Sequence, residues 1–240
     1  MKKLLYTSLF FNLIFFACII FALIKIGSPR YLFYLAKYRG NGIVSLKKHK
    51  TSHLETLPKK EGKIVMLGNS ITAECEWAEL LDNQQVINRG VIGDGTADIL
   101  ARLPDVIEMQ PKQVFLLIGV NDLQFIPLSI ILENYEKIVS KTITETPSTD
   151  LCLISVLPIH NSLRRTGMRN EDIDFLNKGI VELSKKFGLK YIDVASKLKN
   201  LPNGQAGTEG ELREDLSLDG IHLNGQGYLI FKDVLLPYIN

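Results

Sequence analysis

Residues 63–72 read Lys-Ile-Val-Met-Leu-Gly-Asn-Ser-Ile-Thr. Four apolar residues, Ile64–Leu67, stop at a glycine that allows a tight turn, and Ser70 falls where the next helix should begin. Short apolar runs of the same kind return at Val86–Ile87, Val114–Ile118, Leu151–Leu157 and Tyr191–Val194. Gly, Pro, Asn or Asp bounds each run, and the longest are apolar on both faces, as buried parallel strands are. Amphipathic stretches between them, 74–82, 96–109, 128–145 and 171–187, read as helices, with 224–238 closing the chain. Gly188 after Lys185-Lys186-Phe187 is a helix stop. Pro104 should break or kink the second helix. This alternation predicts an α/β fold over 63–240: a three-layer α/β/α sandwich on a five-stranded parallel sheet. The long loops 158–170 and 200–218 are of the kind that often carries function.

The chain ahead of this domain has a different character. From Leu4 to Ile24 no residue is charged, and 21 residues of helix span about 32 Å, enough for a hydrocarbon core. A cleaved signal peptide is the alternative, but its apolar region is shorter and ends at a small-x-small site. Residues 1–28 are therefore expected to be an uncleaved single-pass membrane anchor, followed at 29–62 by a basic juxtamembrane linker. Lys2 and Lys3 on one side nearly balance Lys25, Arg30, Lys37 and Arg39 on the other, so the positive-inside rule sets no orientation.

The 240 residues hold 28 Lys and Arg against 26 Asp and Glu, and 46% are hydrophobic, which excludes a disordered chain. The charge is unevenly placed. Residues 1–62 carry eleven Lys/Arg and two acids, leaving a mildly acidic domain behind a basic segment, which argues against nucleic acid as the main partner. Three cysteines without a C-x-x-C pair signal neither a disulfide framework nor structural zinc.

Ligands of an open parallel sheet bind at the carboxyl ends of its strands. After the first strand stands Gly68-Asn69-Ser70, where free backbone N–H groups meet a hydroxyl; the alternative is that Asn69 or Ser70 merely caps the helix. After the second, Asn88-Arg89-Gly90-Val91-Ile92-Gly93-Asp94-Gly95-Thr96 is glycine-rich, yet lacks the Lys-Ser/Thr ending of a P-loop and the spacing of a dinucleotide fingerprint. After the third, Gly119-Val120-Asn121-Asp122 offers an amide donor, or else an Asx turn. Of four histidines, His222 alone has a carboxylate three residues back, Asp219, in Asp-Gly-Ile-His-Leu-Asn; a surface Asp/His pair is the competing reading.

Taken in order, V-M-L-G-N-S-I-T, N-R-G-V-I-G-D-G-T, L-I-G-V-N-D-L and D-G-I-H-L-N resemble the four blocks of the SGNH hydrolase superfamily, the GDSL-type esterases and lipases. The branch resembled contains the platelet-activating-factor acetylhydrolase subunits and bacterial acyl-esterases. The resemblance covers about 63–240 and implies an SGNH, flavodoxin-like fold. It implies Ser70 as nucleophile, His222 as general base and Asp219 as its orienter. The Ser70 and Gly93 N–H groups and the Asn121 amide would form the oxyanion hole. No cofactor is expected, and no metal, because the carboxylates do not cluster with histidine at ligand spacing. Two departures stand out: Asn69 where the family has Asp, and Gly95 where it often has Thr.

Asn69, Asp94, Arg164 and Arg165 are candidate substrate contacts, the last two because the loop 159–169 is basic within an acidic domain. The expected substrate is a small-molecule, glycan or lipid ester, short-chain acetyl esters first among them. The anchor points to an envelope substrate, and the resemblance to an exported domain. An acyltransferase using the same residues, and an acyl-sugar binding module without turnover, are the other two readings.

Overall fold

The computed structural model describes residues 12, 15, 29–163, 168–200 and 210–240. The chain divides into two compact units, 1–48 and 49–240. The apolar run expected to be an anchor lies outside the described residues, apart from Asn12 and Phe15. Among the described residues, no helix is long and apolar enough to cross a membrane. The basic stretch expected as a linker holds a helix, α1 (Pro29–Thr56). Pro29 suits a first helical position, and no further proline interrupts the run.

The second unit carries the sheet. Its strands are β1 (Ile64–Gly68), β2 (Val86–Gly90), β3 (Gln113–Leu117), β4 (Asp150–Ile154) and β5 (Lys190–Ile192). All pair in parallel, in the order β2-β1-β3-β4-β5. The three-layer α/β/α expectation therefore holds. Period-two alternation sends successive side chains to opposite faces. Val65, Leu67, Val114, Leu116, Leu151 and Leu153 pack with Ile99 and Leu103 of α4 (Thr96–Ile107), Ile131 and Tyr135 of α5 (Leu128–Glu145), and Ile173 and Leu176 of α6 (Asn170–Phe187). Ile64, Met66, Phe115, Leu117, Cys152 and Ile154 pack on the other face. There they meet Trp77 of α3 (Trp77–Leu80), Leu198 of α7 (Ala195–Leu198) and Phe231 of α8 (Gly225–Leu235).

Two expectations need correction. The predicted helix at 74–82 is replaced by two short pieces, α2 (Ser70–Ala73) and α3. Asn88 Nδ2 donates to the carbonyls of Thr72, Ala73 and Cys75, at 2.9, 3.2 and 2.9 Å, taking acceptors that a continuing helix would have used. Second, α4 runs through Pro104 without ending, and Glu108 N–H still donates to Pro104 O at 2.9 Å. A helix-interior proline costs about 3 kcal/mol. Its neighbours Leu103, Val106 and Ile107 are all buried, each stabilising by about 1.5–3 kcal/mol, so burial outweighs the ring.

β1 is an interior strand, with β2 on one side and β3 on the other. The chain changes direction across the sheet here, so the carboxyl ends of β1 and β3 form a topological switch point.

Candidate active site

Ser70 opens α2 directly after β1, and this four-residue helix is held at both ends. Asn69 caps it, its Oδ1 accepting the Ile71 N–H at 3.1 Å. At the far end, Tyr228 Oη donates to Ile71 O at 2.7 Å and Trp77 Nε1 to Thr72 O at 2.8 Å, beside the three bonds from Asn88. Trp77 in turn stands edge-on to Tyr228 and Phe231, with ring centroids 6.0 and 5.1 Å apart. So short a helix has no stability of its own; packing and side-chain hydrogen bonds fix the Ser70 hydroxyl. Gly68 is required before it, because a Cβ there would overlap Thr72 Oγ1 and Leu117 O.

His222 and Asp219 sit on a tight loop ahead of α8. Gly220 has φ +82°, in the left-handed region suited to glycine. Ser217 Oγ accepts the Gly220 N–H at 2.9 Å and donates to His222 O at 2.7 Å. Asp219 Oδ1 accepts the N–H groups of Ile221 and His222 at 3.0 and 2.8 Å. Asp219 Oδ2 lies 2.7 Å from His222 Nδ1, and His222 Nε2 lies 2.9 Å from Ser70 Oγ. Burial pushes the Asp219 carboxyl up, but the His222 and Ile221 N–H groups and the imidazole outweigh it and hold it down at about 2. The ionised carboxylate only accepts, so Nδ1 carries the imidazole proton and Nε2 is left to accept from the Ser70 hydroxyl. The three residues that the sequence singled out for chemistry are thus one hydrogen-bonded line.

The glycine-rich turn after β2 is pinned beside them. Gly93 has φ +81°. Among the described residues neither its N–H nor that of Ser70 has a hydrogen-bond partner. Asn121 Nδ2 donates to Asp94 O at 2.9 Å, which orients the amide and leaves its second hydrogen. Asp122 accepts the Thr96 N–H at 3.0 Å and the Thr96 hydroxyl at 2.8 Å, tying the β3 loop to the start of α4. Burial raises the Asp122 carboxyl above its ordinary range against the pull of Thr96.

The expected substrate contacts fare differently. Asn69 and Asp94 are buried and their side chains are taken up by the protein: Asn69 by its cap, Asp94 by Arg102 Nε at 2.7 Å. Arg164 and Arg165 lie outside the described residues. Arg102, unnoticed in the sequence, also donates to Gly68 O at 3.0 Å and so joins the turn before Ser70 to the turn holding Gly93. A single charge on the apolar stripe Ile99, Leu103, Val106 was the available signal. Asn88, a polar residue in the middle of β2, was another.

A family profile described as GDSL-like Lipase/Acylhydrolase family matches residues 66–230, from within β1 to within α8. The chain belongs to this family. It is a carboxylic ester hydrolase in consequence, and its fold has solved relatives. A Streptococcus pneumonia protein provisionally named a platelet activating factor is 25% identical, with TM-score 0.73 over 85% of this chain and 97% of that one. A GDSL-like lipase from Bacteroides thetaiotaomicron is 21% identical, with TM-score 0.67 over 80% and 96%. The acetyl xylan esterase AlAXEase is 21% identical, with TM-score 0.64 over 74% and 100%. No curated protein matches the chain.

Proposed function

We propose that this GDSL hydrolase is a membrane-anchored serine esterase that cleaves short-chain acyl esters, acetyl esters of a glycan or lipid above all, through Ser70, His222 and Asp219. The observation carrying this reading is the unbroken line from Asp219 Oδ2 through both imidazole nitrogens to Ser70 Oγ, with separations of 2.7 and 2.9 Å. Both fall within the reach that proton transfer needs.

The reaction follows from that line. His222 Nε2 takes the Ser70 proton as Oγ attacks the ester carbonyl, and Asp219 stabilises the resulting imidazolium. The oxyanion is held by the N–H groups of Ser70 and Gly93 and by the Asn121 amide. His222 then gives its proton to the departing alkoxide as the C–O bond breaks, leaving an acyl-Ser70. Water, deprotonated by His222, attacks this ester, and the carboxylic acid leaves as Ser70 recovers its proton.

The acetyl preference is supported by the acetyl xylan esterase among the structural neighbours. The anchor is supported by the uncharged run from Leu4 to Ile24, which also favours an exported domain acting on envelope material. The purified full chain should hydrolyse p-nitrophenyl acetate; retention of the wild-type rate by Ser70→Ala would overturn the nucleophile assignment.

A further inference from the structure

One carboxylate beside the reacting nitrogen has no part in the chemistry above. Glu74 closes the helix that Ser70 opens, and its N–H donates to Ser70 O at 2.9 Å. Its Oε1 lies 4.0 Å from His222 Nε2, the same nitrogen that faces Ser70 Oγ, whereas Asp219 holds the opposite side of the ring. The side chain is 42% exposed and makes no other polar contact among the described residues.

We infer that Glu74 is a specificity-determining residue that filters esters by the charge of their leaving alcohol. The inference rests on the esterase reading, in which His222 Nε2 protonates that alcohol. To be protonated, the departing oxygen must come within about 3 Å of Nε2. Given the 4.0 Å separation, it then lies within about 7 Å of the Glu74 carboxylate. A second negative charge on the alcohol is repelled there, and a positive one is attracted. At that range and exposure the effect is roughly three- to tenfold in kcat/KM. The substrates favoured are esters of uncharged or cationic alcohols, such as the hydroxyls of neutral or amino sugars. Esters of hydroxy acids and phosphorylated alcohols are disfavoured.

The test uses the full chain, wild type and Glu74→Gln, on two isosteric pairs. Acetoxyacetate is compared with acetoxyacetamide, and acetylcholine with 3,3-dimethylbutyl acetate. Each ratio of kcat/KM comes from one preparation, so it is independent of the active fraction. Wild type should disfavour the anionic ester and favour the cationic one by roughly three- to tenfold each, with both ratios shrinking in about 1 M NaCl. Glu74→Gln should bring both close to one; if that variant does not fold, Glu74→Ser is read in the same way. Wild-type ratios near one, or ratios unchanged by the substitution, overturn the inference while leaving the esterase intact. Absence of Ser70-dependent hydrolysis of all four esters defeats the esterase reading and takes this inference with it.

Discussion

His222 Nε2 stands 2.9 Å from Ser70 Oγ although 152 residues of chain separate them. Tyr228, in α8 just beyond His222, donates to Ile71 O next to Ser70, so the two halves of the site are tied by more than their own contact. Behind the imidazole, Asp219 is held at about 2, mainly by the His222 and Ile221 N–H groups working against burial. A depressed carboxyl stabilises the fold above its unfolded value of about 3.9, and that contribution is lost as pH falls through the folded value. The Tm advantage of wild type over Asp219→Asn should therefore be constant above about pH 5 and narrow between about pH 4 and 2. An advantage unchanged down to pH 2 would contradict the lowered carboxyl.

Asn121 spends one amide hydrogen on Asp94 O and leaves the other, which the proposed mechanism assigns to the oxyanion. Asn121→Ala should lower kcat on p-nitrophenyl acetate by about 10²–10³ with a smaller change in KM, since the bond is made chiefly in the transition state. A loss confined to KM would place the amide outside the oxyanion hole.

The Arg102–Asp94 pair is buried, at 8% and 1% side-chain exposure, so removing one partner strands a charge. Burial lowers the Arg102 guanidinium against the pull of Asp94, the sign of a costly site. Urea unfolding should find Arg102→Met less stable by about 3–5 kcal/mol, and Arg102→Met/Asp94→Leu should recover part of that loss. Additive losses in the double variant would mean that the two side chains act independently.

The proposed anchor predicts how the full chain fractionates. It should stay with membranes after an alkaline carbonate wash, and deletion of residues 1–28 should release it. Release of the full-length chain by the same wash would refute an integral span.

Much of this molecule was legible in its sequence, for identifiable reasons. β1, β3 and β4 declare themselves because, past the opening Gln113 and Asp150, strands buried on both faces have no polar positions to blur them. Ser70, His222 and Asp219 stand out by type and by their place after strands or in a tight turn. What the sequence hid was decided by partners far along the chain. The break after Ala73 depends on Asn88 reaching back to three carbonyls. The survival of α4 through Pro104 depends on the burial of Leu103 and Val106 beneath the sheet's helical layer. Nothing local to Asp94 reveals that Arg102, eight residues on, turns back to pair with it. Glu74 reads as an ordinary surface acid until folding brings His222 beside it.

The most direct test of a nucleophilic Ser70 is covalent capture. A fluorophosphonate probe should label the native full chain, with the modified peptide containing Ser70, and Ser70→Ala and His222→Ala should abolish labelling while remaining folded. Undiminished labelling of Ser70→Ala, or none of the folded wild type, would contradict the account.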